Sequence, residues 1–199
     1  MIKLIIFDLS GVVGNAEEPV YLEQFAKKNS IQLDELEGIY YEYLKKSERG
    51  EIPLRVVWEK TMEKFGISGN YKDYVKEMMK LKKFDGKVLD FVLKLRKEYK
   101  TAYFTNYAEE YWEVHETMID ISKYFDFGVV SCKIGSRKPE PKGFKVIMEH
   151  FDVKPEETVF LDDSEKNLAN AKEIGISTIH FKNLGQLKAE FKKIGIAVN

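Results

Sequence analysis

The sequence is short of several things, and each shortage excludes a class of protein. It has one cysteine, Cys132, so no internal disulfide can form, which suits a reducing compartment better than a disulfide-stapled secreted domain. It has no excess charge of one sign: 32 basic residues face 33 acidic ones for a net charge of −1. No basic stripe is present to meet nucleic acid or an anionic membrane surface. No apolar run approaches the ~18 residues that span a bilayer. The opening run MIKLIIFDLSGVV is interrupted by Asp8 too early for a signal peptide. The expectation is a cytoplasmic protein that uses neither nucleic acid nor membrane.

What is present is a globular composition, 44% hydrophobic and 13% aromatic, with no low-complexity tract and no internal repeat. Short β-rich apolar runs recur at 2–7, 101–105, 127–131, 158–161 and 177–181. Segments of helical periodicity separate the later runs, among them 86–100, apolar at Val88, Leu89, Phe91, Val92 and Leu95. Strand and helix alternating in this way predict an α/β fold: a Rossmann-like, parallel five-stranded sheet with helices on both faces. Residues 14–85 break the alternation. They read as four helices, 20–29, 34–47, 54–65 and 71–82, punctuated by Gly50, Pro53, Gly66 and Gly69. Some 70 residues exceed an ordinary crossover. They predict an inserted all-helical cap over 14–85 on a core of 1–13 and 86–199.

Ligands of such sheets sit at the carboxyl ends of the strands, where four polar clusters fall. Asp8 ends the first run ahead of Ser10-Gly11; it serves there as a ligand-facing carboxylate or as a plain turn residue. Thr105 and Asn106 end the second, either as phosphate ligands or as caps of the next helix. Lys138 stands before Pro139, which holds it extended as a point charge for a phosphoryl group. Its neighbour Arg137 reads as a surface residue. Asp162 and Asp163 emerge together from an apolar run. Adjacent carboxylates repel unless a cation joins them, and such hard oxygen ligands suit Mg²⁺. A double helix cap explains one of the two comfortably and both less so.

The ordered set resembles the four motifs of the haloacid dehalogenase superfamily. The segment 130–179, with Lys138-Pro139-x-Pro141 and Phe160-x-Asp162-Asp163-Ser164-x-x-Asn167-x-x-x-Ala171-x-x-x-Gly175, is similar to the subgroup whose helical cap lies between motifs one and two. The resemblance implies a hydrolase acting on a small phosphorylated metabolite, a sugar phosphate among the options. Asp8 would be the covalent nucleophile, forming an aspartyl-phosphate later cleaved by water. Thr105, Asn106, Lys138 and Ser10 would meet the substrate, with Thr105 and Lys138 holding the phosphoryl oxygens. Mg²⁺ would be held by Asp8, the backbone carbonyl of Ser10, and Asp163 helped by Asp162.

One residue departs from the pattern. Phosphatases of this superfamily usually carry a second aspartate two residues after the nucleophile, as general acid and base; here that residue is Ser10. Rival readings follow: a metal-independent 2-haloacid dehalogenase, a phosphonate hydrolase using a cap lysine, or a catalytically idle binding module. The acidic pair Asp162 and Asp163 stands against the first, and the otherwise complete site against the last. His115, His150 and His180 read as structural or surface residues, the latter two away from the strand ends. Tyr107 lies nearer the site and reads equally as a group of the site or as packing, and Tyr40, Tyr41, Tyr43 and Trp58 read as the cap's own core. Arg49 and Arg55 read as surface residues, with reach to a second anionic group on the substrate as the alternative.

Overall fold

β1 (Leu4–Phe7) is Leu-Ile-Ile-Phe, so neither of its faces can be left to water. In the computed structural model, which describes residues 1–197, all four side chains are buried. β1 lies at the centre of a five-stranded parallel sheet with β2 (Lys100–Thr105), β3 (Phe127–Val130), β4 (Thr158–Asp162) and β5 (Ser177–His180), in the order β3-β2-β1-β4-β5. The pleat sends Ile5 and Phe7 into one hydrophobic cluster with Val159 and Leu161. It sends Leu4 and Ile6 into another with Ala102, Phe104 and Phe160. Because β2 and β4 flank β1 on opposite sides, the connections diverge there, opening a crevice at the carboxyl ends of the central strands.

Four helices follow β1: α1 (Glu17–Asn29), α2 (Leu33–Ser47), α3 (Leu54–Phe65) and α4 (Tyr71–Met79). α5 (Gly86–Leu95), α6 (Glu109–Met118), α7 (Ser131–Ile134), α8 (Lys142–Phe151), α9 (Glu165–Glu173) and α10 (Leu184–Lys193) belong to the sheet connections and the C-terminal end. Tyr21, Phe25, Tyr40 and Trp58 pack as tilted and edge-on aromatics in the helical insert, the apolar core expected of them. The outgoing and returning chains are stitched together. Gly14 forms bridges with Ser10 and Phe84, and Asp85 donates its N–H to the Val13 carbonyl. Gly14 must be glycine there, since a Cβ would lie 2.5 Å from the Lys83 carbonyl oxygen. Among the described residues no helix is long and apolar enough to cross a membrane.

The elements match the expected order, with shifts at their ends. The most consequential is α1, which starts at Glu17 rather than Val20. Pro19 sits in the first turn, where no N–H is required of it, and Glu17 and Glu18 face the positive end of the helix dipole.

Candidate active site

The strand ends gather the polar clusters of the sequence. Asp8 directly follows β1, Thr105 ends β2 and Asp162 ends β4. Lys138 arrives from the loop beyond α7, its bond to Pro139 cis, and its backbone is clamped by Asn106. Asn106 Oδ1 accepts from the Lys138 N–H at 2.8 Å, and Nδ2 donates to the Lys138 carbonyl at 3.2 Å. Neither Thr105 nor Asn106 caps α6, whose first turn begins after Ala108.

Lys138 is fully buried and donates to two carboxylates, Asp8 Oδ1 and Asp162 Oδ2, each at 2.7 Å. The oxygens of Asp162 are fully engaged. Oδ1 also accepts from the Ser164 N–H at 2.8 Å, and both oxygens accept from Asn167 at 3.1 Å. Asp162 therefore organises Lys138 and the start of α9. Asp8 Oδ1 further accepts the Leu9 N–H at 2.7 Å, which fixes the rotamer. Asp163 turns the other way, against Gly11. Gly11 has φ +82°, and a Cβ there would sit 2.0 Å from Asp163 Oδ2, so both backbone and space demand glycine.

Asp8, Asp162 and Asp163 offer ligand oxygens within 4.8 Å of one another, against the single ammonium of Lys138. The imbalance shows in their titration. Burial first, then repulsion from Asp162, lifts Asp163 above the usual carboxylate range. Burial also pushes Asp8 up, with Lys138 pulling against it and Asp162 and Asp163 adding to it. Three carboxylates around one lysine form a donor set that a hard divalent cation fits. Thr105 is 1% exposed, its Oγ1 finds no hydrogen-bond partner among the described residues, and it lines the same cavity as Asp8, Lys138 and Asp163. A buried unpaired hydroxyl on a residue that lines a cavity is available to a ligand oxygen.

Ser10 is tied into a ring that the sequence did not reveal. Lys82 Nζ donates to Ser10 Oγ at 3.0 Å and to Glu17 Oε2 at 2.8 Å; Tyr107 donates to Glu17 Oε1 at 3.3 Å. The Ser10 and Tyr107 oxygens are 3.1 Å apart. Lysine can only donate, so Ser10 accepts from Lys82, and with the Tyr107 hydrogen on Glu17 the Ser10 hydroxyl is the donor to Tyr107. Tyr107 and Glu17 line the cavity beside Asp8, and Lys82 braces them through Ser10 and Glu17.

Several other expectations change. Arg137, read as a surface residue, makes a largely buried ion pair with Glu48 at 2.5 Å, joining the loop before Lys138 to the end of α2. Arg49 pairs with Glu140 and Arg55 with Glu59, and neither arginine lines the cavity that holds Asp8. His180 ends β5 instead of lying away from the strand ends, and its Nε2 is 2.9 Å from the Asp163 carbonyl. His150 stacks on Phe127, and His115 is buried on Trp112, both structural as expected. Glu17 and Glu18 were missed because the helix was begun after Pro19; an acidic pair ahead of a first-turn proline was the available signal.

Known proteins agree with this architecture. D-ribitol-5-phosphate phosphatase of Bacteroides thetaiotaomicron is 25% identical over 98% of both chains. A crystal structure of a HAD family enzyme from the same organism, an aspartate-to-alanine variant in complex with magnesium and inorganic phosphate, superposes with a TM-score of 0.77. It is 27% identical and covers 94% of this chain and 99% of that one. Rat bifunctional epoxide hydrolase 2 is 37% identical over 79 residues, which span 40% of this chain and 14% of that protein's length. Residues 2–175 match the haloacid dehalogenase-like hydrolase family, and with the fold and the strand-end carboxylates in place, the chain belongs to that family of enzymes.

Proposed function

We propose that the chain is a Mg²⁺-dependent phosphohydrolase that cleaves a small phosphorylated metabolite through an aspartyl-phosphate on Asp8. The observation that carries this reading is the juxtaposition, in one cavity, of the Asp8–Lys138–Asp162 ion-pair chain and the unpartnered Thr105 hydroxyl. Asp8 Oδ1 is held by Leu9 and Lys138, which leaves Oδ2 to form the bond to phosphorus as the ester oxygen departs. Lys138 and Thr105 Oγ1 meet the phosphoryl oxygens as charge builds in the in-line transition state. Asn106 acts through the Lys138 backbone it clamps. Water then attacks the acylphosphate, and Asp8 is regenerated as inorganic phosphate leaves.

Asp8, Asp163 and the Ser10 carbonyl would hold the cation, with Asp162 fixing its neighbours. When bound, Mg²⁺ offsets the repulsion between an anionic nucleophile and an anionic phosphate. We also propose residues 14–85 as a cap on a core of 1–13 and 86–199, with the stitched segments at Gly14 and Phe84–Asp85 as the hinge. The relative that acts on ribitol 5-phosphate supports a phosphorylated carbohydrate or polyol as substrate. The phosphonate-hydrolase alternative loses support at Lys82, a cap lysine that touches Ser10, because its ammonium is paired with Glu17.

The test is phosphate release from a panel of phosphorylated metabolites, with halide release from 2-haloacids, each with Mg²⁺ and with EDTA. Phosphate release that needs Mg²⁺ and disappears in Asp163→Asn is expected. Halide release indifferent to EDTA would overturn the reading.

A further inference from the structure

The ceiling over Asp8 is built by residues that the proposed mechanism does not use. Glu17 and Glu18 open α1 and Glu48 follows α2; all three line the same cavity as Asp8, Thr105 and Lys138. Two of these carboxylates have their own cation, Lys82 for Glu17 at 2.8 Å and Arg137 for Glu48 at 2.5 Å. Among the described residues Glu18 has none. It is held instead by a chain of hydrogen bonds from deep in the molecule. Trp58 Nε1 donates to the Tyr111 hydroxyl at 3.0 Å, the Tyr111 and Tyr40 hydroxyls are 2.9 Å apart, and Tyr40 donates to Glu18 Oε2 at 3.2 Å. Trp58 and Tyr40 are fully buried, so the chain ends in a fixed carboxyl rather than a solvated one.

Two effects act on that carboxyl, burial first and then the negative field of Glu48 and Glu17, each of which keeps its own cation. Together they push the Glu18 carboxyl up to about 8, so it is protonated at neutral pH. The same field acts on any substrate group delivered there: it penalises a second anion and favours hydrogen-bond donors. Among the residues that line the cavity, Lys138 is the one basic side chain, and it sits at the opposite end with Asp8. The unpartnered Thr105 hydroxyl marks where the phosphoryl oxygens go, independently of the acidic ceiling. The cavity holds about 200 Å³. That is small for a ligand site and suits a short carbon chain beside the phosphoryl group.

We propose that Glu18, together with Glu48, reads the leaving group: the site takes monophosphate esters of short uncharged polyols and rejects esters that carry a second anionic group. The proposal rests on the phosphohydrolase reading above and names its substrate class.

A matched pair of esters tests it. Glycerol 3-phosphate and 3-phosphoglycerate share a three-carbon skeleton and differ in a terminal hydroxyl against a carboxylate. With Mg²⁺ the wild type should favour glycerol 3-phosphate in kcat/KM by about tenfold or more. Glu18→Lys should reverse that preference and Glu18→Ala should bring it toward one. Glu18→Gln, which keeps a neutral hydrogen-bonding group of the same shape, should stay within about threefold of wild type. Calorimetric binding of both esters to Asp8→Asn, with and without each Glu18 change, reads the same ratio without turnover, so a slow variant is still scored. A wild-type ratio near one, or a ratio unmoved by Glu18→Lys and Glu18→Ala in folded protein, overturns the proposal. Phosphate release from neither ester nor p-nitrophenyl phosphate by the wild type would instead remove the phosphohydrolase reading, and this proposal with it.

Discussion

The ammonium of Lys82 lies 3.0 Å from the hydroxyl of Ser10, so a side chain from the end of the helical insert touches the residue standing in the acid's place. Its ion pair with Glu17 is almost wholly buried, the two side chains being 0% and 4% exposed. Breaking a buried pair on one side leaves an uncompensated charge, which costs about 3–5 kcal/mol. Lys82→Met should therefore lower unfolding stability by that amount in urea titrations. Adding Glu17→Gln should recover most of it. A loss under ~1 kcal/mol for the single variant would mean that water reaches Glu17 and screens it.

Ser10 donates its hydrogen to Tyr107 and is a weak acid in any case, so departure of the leaving group must rest on its own stability. Rates of phosphoryl transfer to Asp8 should fall steeply as leaving-group pKa rises. Ser10→Asp should flatten the dependence. General acid catalysis is worth ~10²- to 10⁴-fold. We expect the lower end on alkyl esters, because Lys82 would hold the new carboxyl ionised. Single-turnover rates on phosphate esters of graded leaving-group pKa measure both slopes, and parallel slopes would place the acid elsewhere.

Thr105 buries a hydroxyl that finds no hydrogen-bond partner among the described residues. Thr105→Val keeps the shape and removes that hydroxyl, so unfolding stability should hold or rise by up to ~1 kcal/mol. Affinity for inorganic phosphate with Mg²⁺ should fall by about tenfold, the worth of a hydrogen bond to a charged group. Unchanged phosphate affinity would remove Thr105 from the phosphoryl site.

His115 is 0% exposed, and neither ring nitrogen finds a partner among the described residues. Burial first, then the nearby charge of Lys82, lowers its pKa from 6.5 to about 4. Between those values the unfolded chain binds the proton and the folded one does not. The stability this neutral imidazole contributes is therefore complete above pH 6.5 and lost as pH falls toward 4. At ~1.4 kcal/mol per unit the loss approaches ~3 kcal/mol. His115→Phe, with a ring still able to pack on Trp112, should reduce the acid-side fall in urea midpoints between pH 7 and pH 4.5. Equal falls in both proteins would show that other groups carry it.

The apolar runs by themselves determined the sheet and the alternation of strand and helix. Both follow from local periodicity, and strands buried on both faces leave little else for such runs to do. The same runs located Asp8, Thr105 and Asp162, because a residue at the end of a buried strand has its place set by the strand. The Asp162-Asp163 dipeptide was visible for the same reason, and Lys138 through the proline that follows it. Only tertiary structure decided what closes over them. Glu17, Glu18, Glu48 and Lys82 are scattered over the insert; Tyr107 lies 90 residues from its partner Glu17, and Arg137 lies 89 from its partner Glu48. No local period encodes such pairings. They arise when the helical insert buries its aromatic face and must find a partner for every charge it takes out of water.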